Sequence, residues 1–140
     1  MGIWTLLHWG RETTAGTLSD LEEAILAIPK DALTPNTIVD IAGPNGDVLS
    51  IGIAGPWDGC NSPLHEDVAY VEYSEASQEP PYLRIVGDRS LAGEVVFMYR
   101  DRQHTPEPRR NCVPVAVMLR VVRHLYEYGT LPNWVEWEEV

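Results

Sequence analysis

The best candidate for nucleophilic chemistry is Cys60, which lies five residues before His65 in a stretch rich in glycine and proline. A thiol next to an imidazole can form a thiolate–imidazolium pair that attacks an acyl group. Such pairs normally join residues that are distant in sequence, and these two share one short segment. A small hydrolase that uses Cys60 and His65 is therefore our third hypothesis for function, after two binding functions.

Metal and cofactor motifs are missing from the sequence. The four histidines show no His-x-His or His-Glu-x-x-His spacing, and Cys60 and Cys112 lie 52 positions apart. Zinc sites usually take their ligands from closely spaced pairs. The sequence also has no phosphate-binding glycine loop and no Gly-x-Ser-x-Gly elbow. We therefore predict no metal, no cofactor and no catalytic residue, and we expect both cysteines to be free thiols.

Acidic residues are concentrated in one part of the chain. There are 21 Asp plus Glu against 10 Lys plus Arg, which gives a formal net charge of −11. The stretch from Asp31 to Leu83 has nine acidic residues and no Lys or Arg, whereas Arg84 to Arg123 has eight of the ten basic residues. Negative charge repels phosphates and anionic lipids, which argues against nucleic acid or a membrane as the direct partner. A basic protein partner is expected instead.

Length and hydropathy predict one domain, residues 1–140, in the cytoplasm. A chain of 140 residues has the usual size of a single domain. Its longest uncharged hydrophobic stretch, Val48 to Trp57, is far shorter than the roughly 20 residues of a membrane span. The segment from Met1 to Gly10 lacks the basic start and the small-residue cleavage site of a signal peptide.

Two helices are predicted from apolar spacing and end signals. Ser19 and Glu22 fit a capping box, and the apolar residues from Leu21 to Ile28 recur at helical spacing before Pro29. A second helix is predicted from Pro114, which suits a first turn, to Gly129, which suits a helix end.

Seven strands are predicted around these helices, and Asn45-Gly46 marks a tight turn between two of them. The order of the elements indicates an α+β fold: a mostly antiparallel sheet of about six to seven strands packed against two helices. The predicted strands are Ile3–Trp9, Thr37–Ala42, Val48–Ala54, Val68–Tyr73, Tyr82–Val86, Glu94–Tyr99 and Trp134–Glu138.

A partner-binding surface is predicted around the loop Gly55–Leu64 and the strand that follows it. Side chains two apart on a strand share a face, so Tyr70 and Glu72 point the same way. Aromatic residues are enriched at binding hot spots, and carboxylates steer basic partners. The alternative is an acidic surface that is only solvated. The predicted surface comprises Trp57, Asp58, Glu66, Asp67, Tyr70, Glu72 and Glu75.

The C-terminal part of the chain resembles the first-numbered immunity-protein family of bacterial polymorphic toxin systems. In that family a helix leads to a Gly-x-x-Pro turn and a terminal strand with Val-x-Trp-Glu. The matching residues here are Gly129, Pro132, Val135, Trp137 and Glu138, and the segments Gly93-Glu-Val-Val-Phe-Met-Tyr and Val113-Pro-Val also fit.

The resemblance implies a cytosolic antidote that binds the C-terminal domain of a cognate toxin, commonly a nucleic-acid deaminase, as a one-to-one heterodimer. It implies no catalytic residues. The leading hypothesis is therefore an immunity protein that blocks the active site of its toxin. The alternative is an acidic nucleic-acid mimic or regulatory protein-binding module without a dedicated toxin, which would bind several basic proteins with similar affinity.

Overall fold

The computed structural model describes residues 2–8, 10–31, 37–54, 68–77, 79–99 and 103–140. This part of the chain contains ten strands, two α-helices and a short 3₁₀ helix, and the predicted α+β class is confirmed. The elements are β1 (Trp4–His8), β2 (Arg11–Ala15), α1 (Leu18–Asp31), β3 (Thr37–Ala42), β4 (Val48–Ile53), β5 (Ala69–Ser74), β6 (Leu83–Val86), β7 (Glu94–Tyr99), β8 (Gln103–Pro108), the 3₁₀ helix (Arg109–Asn111), β9 (Cys112–Val113), α2 (Val115–Tyr128) and β10 (Glu136–Glu139).

Seven strands form the main sheet in the order β10-β6-β5-β4-β3-β1-β2, and all neighbours in this order are antiparallel. The predicted hairpin is confirmed as β3 and β4, with Asp40 opposite Ser50. In its turn the Gly46 N–H donates to the carbonyl oxygen of Gly43 at 3.1 Å. Gly46 has a φ of 92°, a conformation that favours glycine.

The main core lies between the two helices and one face of this sheet. Alternate residues of β4, including Leu49, Ile51 and Ile53, are buried in it, as period-two spacing predicted. The helices contribute apolar stripes at helical spacing. These stripes are Leu21, Ile25 and Ile28 from α1, and Val115, Met118, Val121, Val122 and Leu125 from α2.

The predicted boundaries of α1 are wrong at both ends. The backbone N–H of Asp20 donates to Thr17 Oγ1 at 3.1 Å, so Thr17 caps the helix instead of Ser19. The helix also continues past Pro29 to Asp31. A proline within a helix removes the hydrogen bond of its own nitrogen and crowds the preceding turn, and here the packing of the apolar stripe against the sheet outweighs that cost for the last residues.

A second layer covers part of the other face of the sheet. Strands β7 and β8 form an antiparallel hairpin, here called the cover hairpin, which meets the main sheet at the single parallel pair Thr37 and Met98. Phe97 is fully buried with Ile38 and Tyr70 of the main sheet. A Cβ on Gly52 would lie 2.8 Å from Phe97 Cδ1, so the glycine provides the space for this ring.

Three strands were not predicted. The residues of β2 are mostly polar and exposed. The strand β8 contains two prolines and, among the described strands, pairs only with β7, in agreement with the restriction of proline to edge strands. The strand β9 has only two residues. None of the helices in the described ranges is long and apolar enough to cross a membrane.

Candidate functional site

The predicted binding residues fall into two groups. Trp57, Asp58, Glu66 and Asp67 lie outside the described residues, as do Cys60 and His65 of the hydrolase hypothesis. Tyr70 and Glu72 lie on β5, and the exposed Glu75 directly follows that strand. Their role in binding stays a prediction.

Tyr70 and Glu72 are brought together on the face of the sheet opposite the helices. The Tyr70 hydroxyl donates to Glu72 Oε1 at 2.8 Å. Tyr70 itself is only 4% exposed, because the Phe97 ring of the cover hairpin lies 6.5 Å from its own ring. The tyrosine therefore holds the Glu72 carboxylate in place and presents almost no surface of its own.

A second carboxyl group, that of Glu107 on β8, lies near Tyr70 and Glu72. Its strand partner is Val95 of β7, which is buried against the main sheet, so the two side chains share the inner face of the cover hairpin. Burial raises the pKa of Glu107 to about 6, with a further contribution from the charge of Glu72. Tyr70 and Arg84 act on it in the opposite direction.

Sequence reasoning missed Glu107 because β8 was not predicted as a strand. The sequence pattern that could have predicted this strand is the spacing of Thr105 and Glu107, which are two residues apart and so share one face of a strand.

The basic residue next to this cluster, Arg84, forms an ion pair with a carboxylate of the last strand. Arg84 is the cross-strand partner of Glu72, but its Nε donates to Glu138 Oε1 at 2.9 Å. The same oxygen accepts a hydrogen bond from Asn111 Nδ2 at 2.8 Å and lies 3.6 Å from Arg110 Nη2. These donors hold the pKa of Glu138 below its usual range, and the hydrogen bond from Asn111 has the largest effect.

The residues of the C-terminal motif build this arrangement. Gly129 ends α2 with a φ of 73°, and its N–H donates to the carbonyl oxygen of Leu125 at 2.8 Å. Trp137 Nε1 donates to the carbonyl oxygen of Pro132 at 3.1 Å, which fixes the turn against the last strand. Glu138 then joins that strand to Arg84. The motif therefore forms scaffold contacts in the described structure.

Further carboxylates continue the acidic surface across the sheet. Strand register places Glu12, Leu7, Asp40, Ser50 and Glu72 in one row on β2, β1, β3, β4 and β5. The cover hairpin lies over the Gly52 end of β4. A shallow depression lies towards the Val48 end of β4, and its lining includes Glu12, Leu7, Asp40 and Ser50. We call Glu12, Asp40 and Glu72 the acidic face.

This arrangement is suited to charge recognition. Across the described ranges, no group of three or more His, Cys, Asp or Glu residues is placed to hold a metal ion. The buried Cys112 thiol donates a hydrogen bond to the carbonyl oxygen of Pro108 at 3.6 Å. The Asp40 carboxylate accepts a hydrogen bond from Ser50 Oγ at 2.7 Å, which fixes the charge on the surface. Fixed carboxylates on a sheet can bind and steer a basic partner.

The fold and the site define a small α+β domain with an acidic sheet face and a C-terminal strand anchored by Glu138. The chain belongs to the immunity protein Imm1 family, which it matches over residues 10–139. The predicted resemblance is confirmed, and the protein is an immunity protein whose expected partner is a cognate toxin. A comparison with curated proteins found no match.

Proposed function

We propose that this protein is the cytoplasmic antidote of a secreted bacterial toxin that deaminates nucleic acid. It binds the C-terminal domain of that toxin one to one and blocks the active site. Membership in the Imm1 family supports the antidote role. The acidic face is the observation that favours a nucleic-acid-directed toxin, because an enzyme that holds a polyanion needs a basic surface.

The proposed interface joins the segment that carries Trp57, Asp58, Glu66 and Asp67 to the exposed end of β5. Glu72 and Glu75 supply carboxylates there, and Tyr70 positions Glu72. An interface of standard size would bury about 1,600 Å² in total. Carboxylates at its rim raise the association rate more than they lower the dissociation rate.

The test removes carboxylates one at a time and measures association with the purified toxin domain. We expect Asp67→Asn, Glu72→Gln and Glu75→Gln each to lower the association rate constant about two- to fivefold at low salt and to reduce its salt dependence. Glu23→Gln is the matched control, because Glu23 is exposed on α1, which packs on the opposite face of the sheet. Unchanged rates in all three variants would refute the acidic-surface proposal.

A second measurement distinguishes an antidote with one dedicated toxin from a module that binds basic proteins in general. The regional acidity of the chain is compatible with both functions. Coexpression should restore the growth of cells that produce the cognate toxin domain and should fail with unrelated basic toxins. Similar affinity for several unrelated basic proteins would favour the regulatory or nucleic-acid-mimic alternative instead.

A further inference from the structure

A cavity of about 110 Å³ lies at the end of the sheet away from the cover hairpin. Three parts of the chain form it: the start of β1, the turn between β3 and β4, and the last turn of α2. The lining residues that matter for its chemistry are Trp4, Gly43, Asp47, Tyr126 and Gly129.

Two aromatic rings form one side of this cavity. The rings of Trp4 and Tyr126 stack with centroids 5.8 Å apart and planes 29° apart. A Cβ on Gly43 would lie 3.2 Å from Trp4 Cη2, so the glycine lets the β3–β4 turn pack closely against the end of the indole ring. Indole and phenol rings attract cations through their electron-rich faces.

The one charged side chain among the described lining residues of the cavity is negative. Asp47 lines it and accepts a hydrogen bond from the Tyr73 hydroxyl at 2.8 Å. Burial raises the pKa of Tyr73, and the carboxylates of Asp47 and Glu75 raise it further. The carbonyl oxygens at the end of α2 add the negative end of the helix dipole. None of the described lining residues is Lys, Arg or His.

We propose that this cavity binds a cationic organic group, a guanidinium or an alkylammonium, between the aromatic rings and the Asp47 carboxylate. The volume suits one such group and is too small for a nucleotide or a folded peptide segment. Aromatic faces, a carboxylate and a helix C-terminus each favour a cation, and they meet here from three separate elements. An arginine or lysine side chain of the toxin is the proposed source of this group, and that part rests on the proposed function.

The first experiment uses the free protein with methylguanidinium chloride as the probe and neutral methylurea as its matched control. We expect saturable NMR shifts of the Trp4 indole, the Tyr126 ring and the Gly43 amide with methylguanidinium, and no saturable shifts with methylurea. Asp47→Asn and Tyr126→Leu should each weaken probe binding at least fivefold, whereas Glu23→Gln should leave it unchanged.

Gly43→Ala gives an independent check, because its methyl group would enter the space beside Trp4 and should also reduce probe binding. Circular dichroism confirms that each variant is folded. No saturable shift with methylguanidinium, or an equal response to methylurea, would overturn the proposal.

A second experiment identifies the source of the cation. If a toxin side chain occupies the cavity, methylguanidinium should no longer bind when the toxin domain is bound. The Asp47→Asn variant should also bind the toxin domain more weakly than the parent does. Undiminished probe binding to the complex would overturn that assignment and favour a free organic cation. Because the first experiment needs no toxin, failure of the proposed function and failure of the cation site give different results.

Discussion

Replacing Glu107 by glutamine should stabilise the protein at neutral pH. Glu107 is half-buried on the inner face of the cover hairpin, where its charge is repelled by that of Glu72. Its pKa is raised from 4.5 to about 6, so the folded state disfavours the carboxylate that is present at neutral pH. Glutamine has a similar shape and carries no charge at any pH.

The size of this effect follows from the pKa difference. A change from 4.5 to about 6 corresponds to at most about 2 kcal/mol of unfolding free energy. Because Glu107 is only half-buried, solvent screening reduces the expected gain to about 1 kcal/mol or less.

The pKa of Glu107 also determines how the stability difference between the parent and the variant should change with pH. Between pH 4.5 and about 6 the folded protein binds more protons at Glu107 than the unfolded chain does. The protonated Glu107 side chain is favoured in the folded state, so its contribution to the unfolding free energy is fully present below pH 4.5. That contribution is lost as the pH rises through about 6 and the side chain ionises. The Glu107→Gln variant should be more stable than the parent at pH 7.5 and about equal to it at pH 4.

Urea unfolding followed by tryptophan fluorescence at these two pH values measures the difference directly. Glu23→Gln is the matched control, because Glu23 is exposed on α1, which packs on the opposite face of the sheet. A Glu107→Gln variant that is less stable than the parent at pH 7.5, or a difference that does not change with pH, would show that the inferred environment of Glu107 is wrong.

Three further substitutions test the packing of the cover hairpin and the end of α2. Gly52→Ala should cost about 1–3 kcal/mol because its methyl group meets the Phe97 ring. Phe97→Ala should cost about 3–5 kcal/mol, and chemical denaturation should show that the double variant loses less than the sum. Gly129→Ala should lower the midpoint of thermal unfolding by an amount equivalent to about 1 kcal/mol, because residue 129 has a φ of 73°. An unchanged midpoint would contradict that reasoning.

The elements that were predicted correctly depend on local patterns. The apolar stripe of α2 and its end at Gly129 need only helical spacing and a residue that tolerates positive φ. The β3–β4 hairpin needs only alternation around Asn45-Gly46. The start of α1 was harder to predict, because threonine and serine are both favourable N-cap residues and the sequence contains both Thr17 and Ser19. In the structure the cap is Thr17.

The site was less predictable because its contacts join distant segments. Period-two spacing placed Tyr70 and Glu72 on one face, and the structure confirms that shared face. Sequence spacing cannot show that a hairpin covers Tyr70. The pairing of Arg84 with Glu138 spans 54 positions and depends on the register of two strands, which no local pattern specifies.

The position of Arg84 between two carboxylates gives the end of the chain an electrostatic role. Strand register places Glu72 on one side of Arg84 and Glu138 on the other. The Arg84 guanidinium contacts Glu138 at 2.9 Å, so the last strand fixes the position of this positive charge beside the acidic face. A chain shortened before Glu138 would free Arg84 to pair with Glu72 and so weaken the negative potential over β5. The last strand thus sets the surface charge of a region that lies more than 60 residues earlier in the sequence.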